Sequence, residues 1–359
     1  MSWLMTDALH VLHVCRRFGP VGGMERYVWA LTQALSELGH GVEVLCEVNL
    51  CQASPKGVVV HELGEVHPKP RWLAHIRFSQ RVHAWLTANP NARRIIHSHE
   101  RTEDHHITTF HGPPYAAVRE LPLWKRVGLR VSMNLWLEKR ELTAPHVRQV
   151  IPNSSHIRQQ LLYYYPEVAG VMANPIAPGV STCQARAEKI VDEQGGVIGF
   201  LGKEWKRKGL EYAVKIMTKL VDIRPKVTFL VAGFEATEAQ HLFQGVRFSY
   251  QLLGHVNSDT FYAQLDVLLH PASKEPYGMV ITEALSAGVA VVVADVCGAA
   301  DDIDKKFGKV LPLHADASVW AQAIDTQLKQ DYAVIRYQRS WQDVALEHTP
   351  IYQTIQQDP

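Results

Sequence analysis

Two glutamates, Glu275 and Glu283, are separated by seven residues in the run H-P-A-S-K-E-P-Y-G-M-V-I-T-E-A-L-S-A-G. Pro276 and Gly278 follow the first, and the helix formers Ala284 and Leu285 follow the second, so the segment reads as loop then helix. A helix that begins near Gly278 leaves the amides of Gly278, Met279 and Val280 among its unpaired first-turn donors, at the end whose dipole suits a phosphate. Glu275 then sits just outside the helix and Glu283 one to two turns in. Two carboxylates and a phosphate-binding helix start can address one polyhydroxyl ligand that carries phosphate. After Gly288 the run Val289–Ala294 is apolar and mostly β-branched, as expected of a buried parallel strand.

This stretch resembles the signature of the retaining GT-B glycosyltransferases of the family-four, group-1 type: a glutamate, an aromatic-Gly pair, a second glutamate, Ala, Gly and a Val-rich strand. The resemblance implies that Glu275 contacts hydroxyls of a donor sugar and Glu283 grips the ribose of its nucleotide. Tyr277, Gly278, Met279 and Val280 would line the donor between them. Read without the resemblance, the segment is a capped helix with two surface glutamates.

A second stretch, G-K-E-W-K-R-K-G, puts four cations into the six residues 203–208, directly after a strand that ends at Gly202. Such a cluster can be a solvated loop. At the carboxyl end of a strand it also supplies the positive charge a departing diphosphate needs. The resembled family has Gly-Arg, a spacer and Lys-Gly here, which maps onto Gly202, Lys203, Lys208 and Gly209. Lysine stands in the arginine slot, a point charge in place of a bidentate fork.

In the first half, V-G-G-M-E-R opens a helix, and Gly22 and Gly23 let backbone approach a ligand at the helix start. Ile107–Phe110 reads as a strand, with His111–Pro114 leaving its carboxyl end, where open α/β sheets bind ligands. By resemblance His111 faces the donor sugar across an interdomain cleft, and the segment ending at Val256 lines the base pocket with its backbone. His97, His99 and His111 have a spacing from which a three-histidine zinc site can be imagined. Residues two apart on a strand share only a face, so cleft or packing histidines are the simpler reading and no metal is expected. Asp302-Ile303-Asp304 has the form of a metal-binding Asp-x-Asp, yet it follows the Gly298 turn and reads as local turn chemistry. There the family's glutamate is shortened to Asp301.

The elements that must position these residues alternate between strand and helix. Leu9–Cys15, Val42–Cys46, Val58–His61, Arg94–His97, Ile107–Phe110, Val147–Pro152, Val197–Leu201, Val227–Ala232, Leu265–His270 and Val289–Ala294 read as strands. Arg16–Gly23 reads as a loop. Helices are expected over Glu25–Leu38, Arg71–Ala88, Leu123–Glu141, Asn153–Leu162, Trp320–Leu328 and Tyr332–Val344, with Pro350 kinking or ending the terminal helix. The order implies α/β, two Rossmann-like domains facing across a cleft. Their expected spans are 1–178 for the acceptor and 179–338 for the nucleotide-sugar donor, with residues 339–359 as a helix returning to the first domain. Val171–Pro178 resembles the family's hinge and Gln184–Gly195 reads as a polar linker.

Composition bounds the rest. The 359 residues suffice for two domains, and 37 basic against 36 acidic residues exclude the basic excess of a dedicated nucleic-acid binder. Residues 1–180 carry 19 Lys and Arg against 14 Asp and Glu, and the remainder 18 against 22, so the first half suits an anionic surface or phosphorylated glycan, or simply scattered charge. Five cysteines without paired metal spacing argue for a reducing cytoplasm. No apolar run approaches a bilayer span and the first residues do not read as a signal peptide. Around Trp124 and Trp136 the basic-aromatic segment suits an anionic membrane, while Leu129, Met133, Trp136, Leu137 and Arg140 fit a plain core face, the simpler reading.

The resemblance therefore implies a retaining, metal-independent hexosyltransferase-type enzyme without a cofactor. It would move a sugar from a nucleotide-diphosphate sugar, a UDP-sugar above others, to a glycan or glycolipid acceptor such as lipopolysaccharide core. Its expected place is the cytoplasm or the cytoplasmic face of an inner membrane. The alternatives are an inactive sugar-binding protein, motivated by Lys203, a nucleotide-sugar epimerase, or a phosphorylase, which needs a much longer chain.

Overall fold

Six short apolar runs in each half of the chain pair side by side, all in parallel. The first sheet holds β1 (His10–Phe18), β2 (Gly41–Asn49), β3 (Val58–Glu62), β4 (Arg94–Ser98), β5 (Ile107–Phe110) and β6 (Gln149–Pro152), in the order β3-β2-β1-β4-β5-β6. The second holds β7 (Gly195–Leu201), β8 (Lys226–Ala232), β9 (Ser249–Leu252), β10 (Val267–His270), β11 (Ala290–Ala294) and β12 (Gly308–Leu311), in the order β12-β11-β10-β7-β8-β9. Each sheet runs out from its first strand to one edge and then resumes beside that first strand toward the other edge. That is the doubly wound order, and its crevice opens at the carboxyl ends of the first and fourth strands. In this computed structural model residues 8–53, 55–66, 69–181, 184–186, 190–330 and 337–357 are described.

The chain divides into two units, Met1–Gly179 with Ser340–Pro359, and Val180–Arg339. In the first unit, β1 is almost wholly buried and packs with the helix Met24–Glu37, whose Tyr27, Val28, Leu31 and Leu35 face the sheet. The terminal helix Trp341–Gln357 closes the same core with Val344, Ala345, Tyr352 and Ile355. In the second unit β11 is buried at every position, as its unbroken apolar run requires, and the amphipathic helix Leu210–Leu220 covers the sheet with Ala213, Ile216, Met217 and Leu220.

Four expectations are corrected. β1 does not end at Cys15: Arg17 and Phe18 continue to pair with Val48 and Asn49, so the first three residues of the expected loop are strand. The helix expected over Leu123–Glu141 is two, Leu123–Arg126 and Leu129–Thr143, because Gly128 takes φ +129°, outside any helical conformation. Of its supposed core face, Leu129 is 67% and Trp136 47% exposed, and only Leu137 is fully buried. The terminal helix begins at Trp341, its expected start overlapping residues 331–336 outside the described set, and continues through Pro350 to Gln357. Proline costs least where water can reach the freed carbonyl, and both Pro350 and Leu346 one turn earlier are exposed. Of the expected linker, residues 187–189 lie outside the described residues, while Arg186 is fixed by Asp266 at 2.7 Å. Cys183 also lies outside them, and the other four cysteines are free thiols.

Tyr352 is fully buried and its hydroxyl lies 2.8 Å from Nδ1 of His97 on β4. Tyr352→Ala should cost about 3 to 5 kcal/mol through the cavity it leaves, lowering the first unit's melting transition by roughly 10 °C in calorimetry. An unchanged transition would mean that the terminal helix does not support this core.

Candidate functional site

In the second unit the functional candidates gather where β7 and β10 run side by side. Val267 and Leu268 pair with Ile198 and Gly199, so the loops that leave the carboxyl ends of these strands start next to each other. The loop after β7 carries Gly202, Lys203 and Lys208, and the loop after β10 carries Glu275. Gly209 holds the two together: at φ +81° its missing Cβ would fall 2.0 Å from the carbonyl oxygen of Pro271, so no other residue fits the Lys-Gly step without moving backbone. Gly233, at φ +109° after β8, likewise lies against Gly202, whose backbone a Cβ would meet at 2.8 Å.

The closest charged contact in this crevice is an ion pair between Lys208 Nζ and Glu275 Oε2. Arg207 Nη1 stands 3.7 Å from the same oxygen and His270 Nε2 3.2 Å from it. Burial alone would raise the Glu275 pKa, but the hydrogen bond from His270 and the charge of Lys208 outweigh it and hold it at about 2. Burial lowers the His270 pKa, against the pull of Glu275, so its ring is neutral near pH 7 and donates from Nε2. The residue assigned by resemblance to sugar hydroxyls is thus bonded to the residue assigned to diphosphate.

The helix expected after Gly278 is present as Met279–Ser286, with Gly278 at φ +99° before it and no side chain capping its first turn. Its first amides have no intrahelical acceptor. Met279 and Val280 are half-buried. Tyr277 is buried instead, with its hydroxyl donating to Asp302 at 2.8 Å and lying 3.4 Å from that of Tyr337. Its side chain supports the loop from beneath. Glu283 is buried one to two turns into the helix and accepts from the Tyr262 hydroxyl at 2.8 Å. Lys203 is exposed, and Val256 is half-buried beyond β9. Asp302 and Asp304 do serve the turn: the first accepts from Tyr277 and the second from the amide of Lys306.

In the first unit, His111 follows β5, and Gly22 and Gly23 stand exposed ahead of the helix that starts at Met24. Gly22 takes φ +72°, while space around the Gly23 Cα is open. The turn after His111 is pinned by Glu138, fully buried, which accepts from the amides of Tyr115 at 2.5 Å and Ala116 at 2.9 Å and from the Tyr165 hydroxyl. His13, His97 and His99 bring ring nitrogens within 4.8 Å of one another. Both nitrogens of His97 are taken by Tyr352 and Thr109, and both of His99 by His13 and His111, which speaks for a hydrogen-bonded cluster. His270, Glu138 and His13 were missed in the sequence, while Arg207 was read there only as one of the four cations of the loop. Only His270 had a legible signal, its place at the end of β10 five residues before Glu275.

Two doubly wound parallel sheets, one with an acid–base pair and an open helix start at its crevice, are the architecture of a GT-B protein. Comparison with known proteins narrows this. Residues 21–180 match the model of Glycosyltransferase Family 4 and residues 195–330 that of Glycosyl transferases group 1, and the chain belongs to this glycosyltransferase family. It is 24% identical to a phosphatidyl-myo-inositol mannosyltransferase of Mycolicibacterium smegmatis over 94% of this chain and 92% of that protein. It is 30% identical to an uncharacterized glycosyltransferase of Methanocaldococcus jannaschii, over 45% of this chain and 46%, less than half, of that relative's length. Its fold is similar to the crystal structure of WaaG, a glycosyltransferase involved in lipopolysaccharide biosynthesis, at TM-score 0.76 and 18% identity over 97% and 99% of the two chains.

The Glu275 pair gives a signed pH dependence. A glutamate held at about 2 in the folded chain and near 4.5 unfolded contributes about 3 kcal/mol that is present above pH 4.5 and lost as pH falls through about 2. In Lys208→Met the Glu275 carboxyl titration, followed by its side-chain carbon shift, should move up by roughly one to three units. An unmoved midpoint would show that Lys208 does not hold this carboxylate.

Proposed function

We propose that the protein is a retaining glycosyltransferase that takes a sugar from a nucleotide-diphosphate sugar, a UDP-sugar in the first instance, and passes it to a glycan or glycolipid acceptor. The observation that carries this reading is the Lys208–Glu275–His270 cluster at the β7/β10 crevice, set against an uncapped helix start. Donor diphosphate would replace Glu275 as the partner of Lys208, with Lys203 and the amides of Gly278, Met279 and Val280 adding positive potential. The released Glu275, aligned by the neutral His270, would accept hydrogen bonds from sugar hydroxyls. Glu283 would bind ribose, the backbone at Gly202 and Val256 would border the nucleotide, and Tyr277 would set the loop from below. Gly22, Gly23 and His111 would serve the sugar and acceptor from the first unit.

In the reaction the bond from the anomeric carbon to the diphosphate oxygen breaks, its electron pair staying on the diphosphate. The acceptor oxygen bonds to the same face, and its proton passes to the departing phosphate oxygen. Lysines and amides fill the charge-stabilising role here, so no metal enters the scheme.

For the acceptor, the relevant surface is residues 121–130, every one exposed, with Leu123 73%, Trp124 75%, Val127 71% and Leu129 67% exposed among Lys125, Arg126 and Arg130. Apolar side chains interleaved with cations fit the interface of an anionic membrane. This favours a glycolipid acceptor, for which we take lipopolysaccharide core as the class, WaaG being involved in lipopolysaccharide biosynthesis, and a place on the cytoplasmic face of an inner membrane. Among the described residues no helix is long and apolar enough to cross a membrane.

Two experiments test the reading. A panel of nucleotide sugars, assayed for nucleotide diphosphate release with and without chelator, should give turnover with at least one donor. Glu275→Ala should reduce kcat/KM by about 100-fold or more, the scale of losing charged contacts made at the transition state. Absence of release with every donor would favour the sugar-binding alternative, and interconversion of the donor without release an epimerase. Separately, co-sedimentation with vesicles containing anionic lipid should be at least tenfold weaker for Lys125→Gln/Arg126→Gln/Arg130→Gln, since each basic residue near such a surface is worth about 1 kcal/mol. Equal binding to zwitterionic vesicles would contradict an electrostatic membrane face.

A further inference from the structure

The core of the first unit contains a chain of three imidazoles to which the proposed chemistry assigns only the last. His13, on β1 and fully buried, places its Nδ1 3.0 Å from Nε2 of His99, and Nδ1 of His99 lies 2.9 Å from Nε2 of His111. β1 and β4 are neighbours in the sheet and β4 is followed by β5, so strands one, four and five each deliver one ring to the same line. Burial drives the His13 and His111 pKa values down to about 3 and that of His99 well below its ordinary value, so all three rings are neutral near pH 7. A neutral imidazole has one N–H and one bare nitrogen. His99 is bonded at both, so it donates through one and accepts at the other, and the direction of one bond dictates that of the next.

Two directions satisfy both bonds, and they differ only at the ends. If protons point inward, His111 donates from Nε2 to His99, His99 donates from Nε2 to His13, and the proton of His13 is forced onto its own Nε2. That atom is buried and has no hydrogen-bond partner, so an N–H would be stranded. Buried N–H groups without an acceptor are the rarer defect and carry the full desolvation cost. If protons point outward, His13 donates from Nδ1, His99 donates from Nδ1, and the only defect is a bare nitrogen on His13. The proton of His111 then sits on Nδ1. Among the described residues that atom makes no hydrogen bond within the protein, and His111 is only half-buried. The Tyr27 ring lies edge-on at 4.8 Å, limiting rotation of His111.

We propose that His13 and His99 are positioning residues that lock His111 in the Nδ1–H tautomer, so that it presents a fixed hydrogen-bond donor to a ligand oxygen. This rests on the reading that His111 meets the donor sugar. It assigns His111 to recognising a sugar oxygen and removes it as a base, because its outward nitrogen already carries the proton.

The test is a long-range proton–nitrogen correlation spectrum of the full chain labelled with 15N-histidine, without ligand at pH 7. His111 should show a protonated Nδ1 and a bare Nε2. In His99→Leu the His111 signals should move toward the Nε2–H form, and His99→Gln, whose amide can still donate to Nε2, should restore the original pattern. Where a donor has been found, His99→Leu should lower kcat/KM for it by about tenfold, the scale of one misdirected hydrogen bond, with the acceptor KM unchanged and His99→Gln close to wild type. A protonated Nε2 on His111 in the unsubstituted protein, or a pattern indifferent to His99→Leu, overturns the proposal. The unsubstituted spectrum decides even if His99→Leu fails to fold. Because it needs no turnover, an inactive protein with the expected tautomer would sink the enzymatic reading and leave this one standing.

Discussion

Everything in the second unit depends on two strands that are distant in sequence and adjacent in space. β7 and β10 pair because the chain winds to one edge of the sheet and then returns to its middle. Consecutive crossovers leave those strands in opposite directions and open a crevice between their carboxyl ends. Lys208 and Glu275 meet there only because Gly209 lets its loop lie directly on Pro271. Neither loop is a site by itself. A lysine in an exposed turn and a glutamate at the start of a short helix would each be ordinary surface residues.

The same topology gives the first unit a crevice of opposite chemical character. Where β1, β4 and β5 converge, a line of imidazoles at hydrogen-bond distance is held neutral by desolvation, with Glu138 nearby bonded by two backbone amides, a tyrosine and Arg101 at 3.3 Å. A crevice of neutral donors and acceptors selects uncharged hydroxyls. A crevice with a lysine beside a glutamate, an arginine and a helix start selects an anion. The two crevices therefore differ in how each handles desolvation: the second unit pairs its charges, and the first holds its line of imidazoles neutral.

How far the sequence could be read divides along the same physical line. Parallel strands such as Val267–His270 and Ala290–Ala294 were legible because burial on both faces demands continuous apolar runs. The helix start at Gly278 was legible because only glycine takes φ +99° cheaply there. The break at Gly128 was not, since an isolated glycine inside a helical pattern is usually tolerated, and what decides it is whether a core waits for the apolar face. None waits for Leu129, which points to solvent. The continuation of the terminal helix through Pro350 was hidden for the converse reason: packing of Val344, Ala345, Tyr352 and Ile355 onto the first unit holds both sides of the proline in helix.

The histidines show where periodicity stops being informative. His97 and His99 are two apart, and alternation along a strand would put them on one face and invite a metal reading. The two rings do share a face, with centroids 4.4 Å apart, and the His99 amide still bonds to the Val14 carbonyl one residue past the strand's end, but His99 is bonded to His13 and His111 and His97 to Thr109 and Tyr352. With every nitrogen of both rings committed to a protein partner, a cation would have to displace one hydrogen bond for each of their nitrogens it took, and among the described residues no acid joins the three rings to offset its charge. The hydroxyls of Thr109 and Tyr352 rotate to suit either tautomer of His97, so that ring carries no directional information. The His13–His99–His111 line has no such rotor. Its direction is decided at its buried end, and a single unpartnered nitrogen on His13 is felt two rings away, at the edge of the sheet where a ligand would be met.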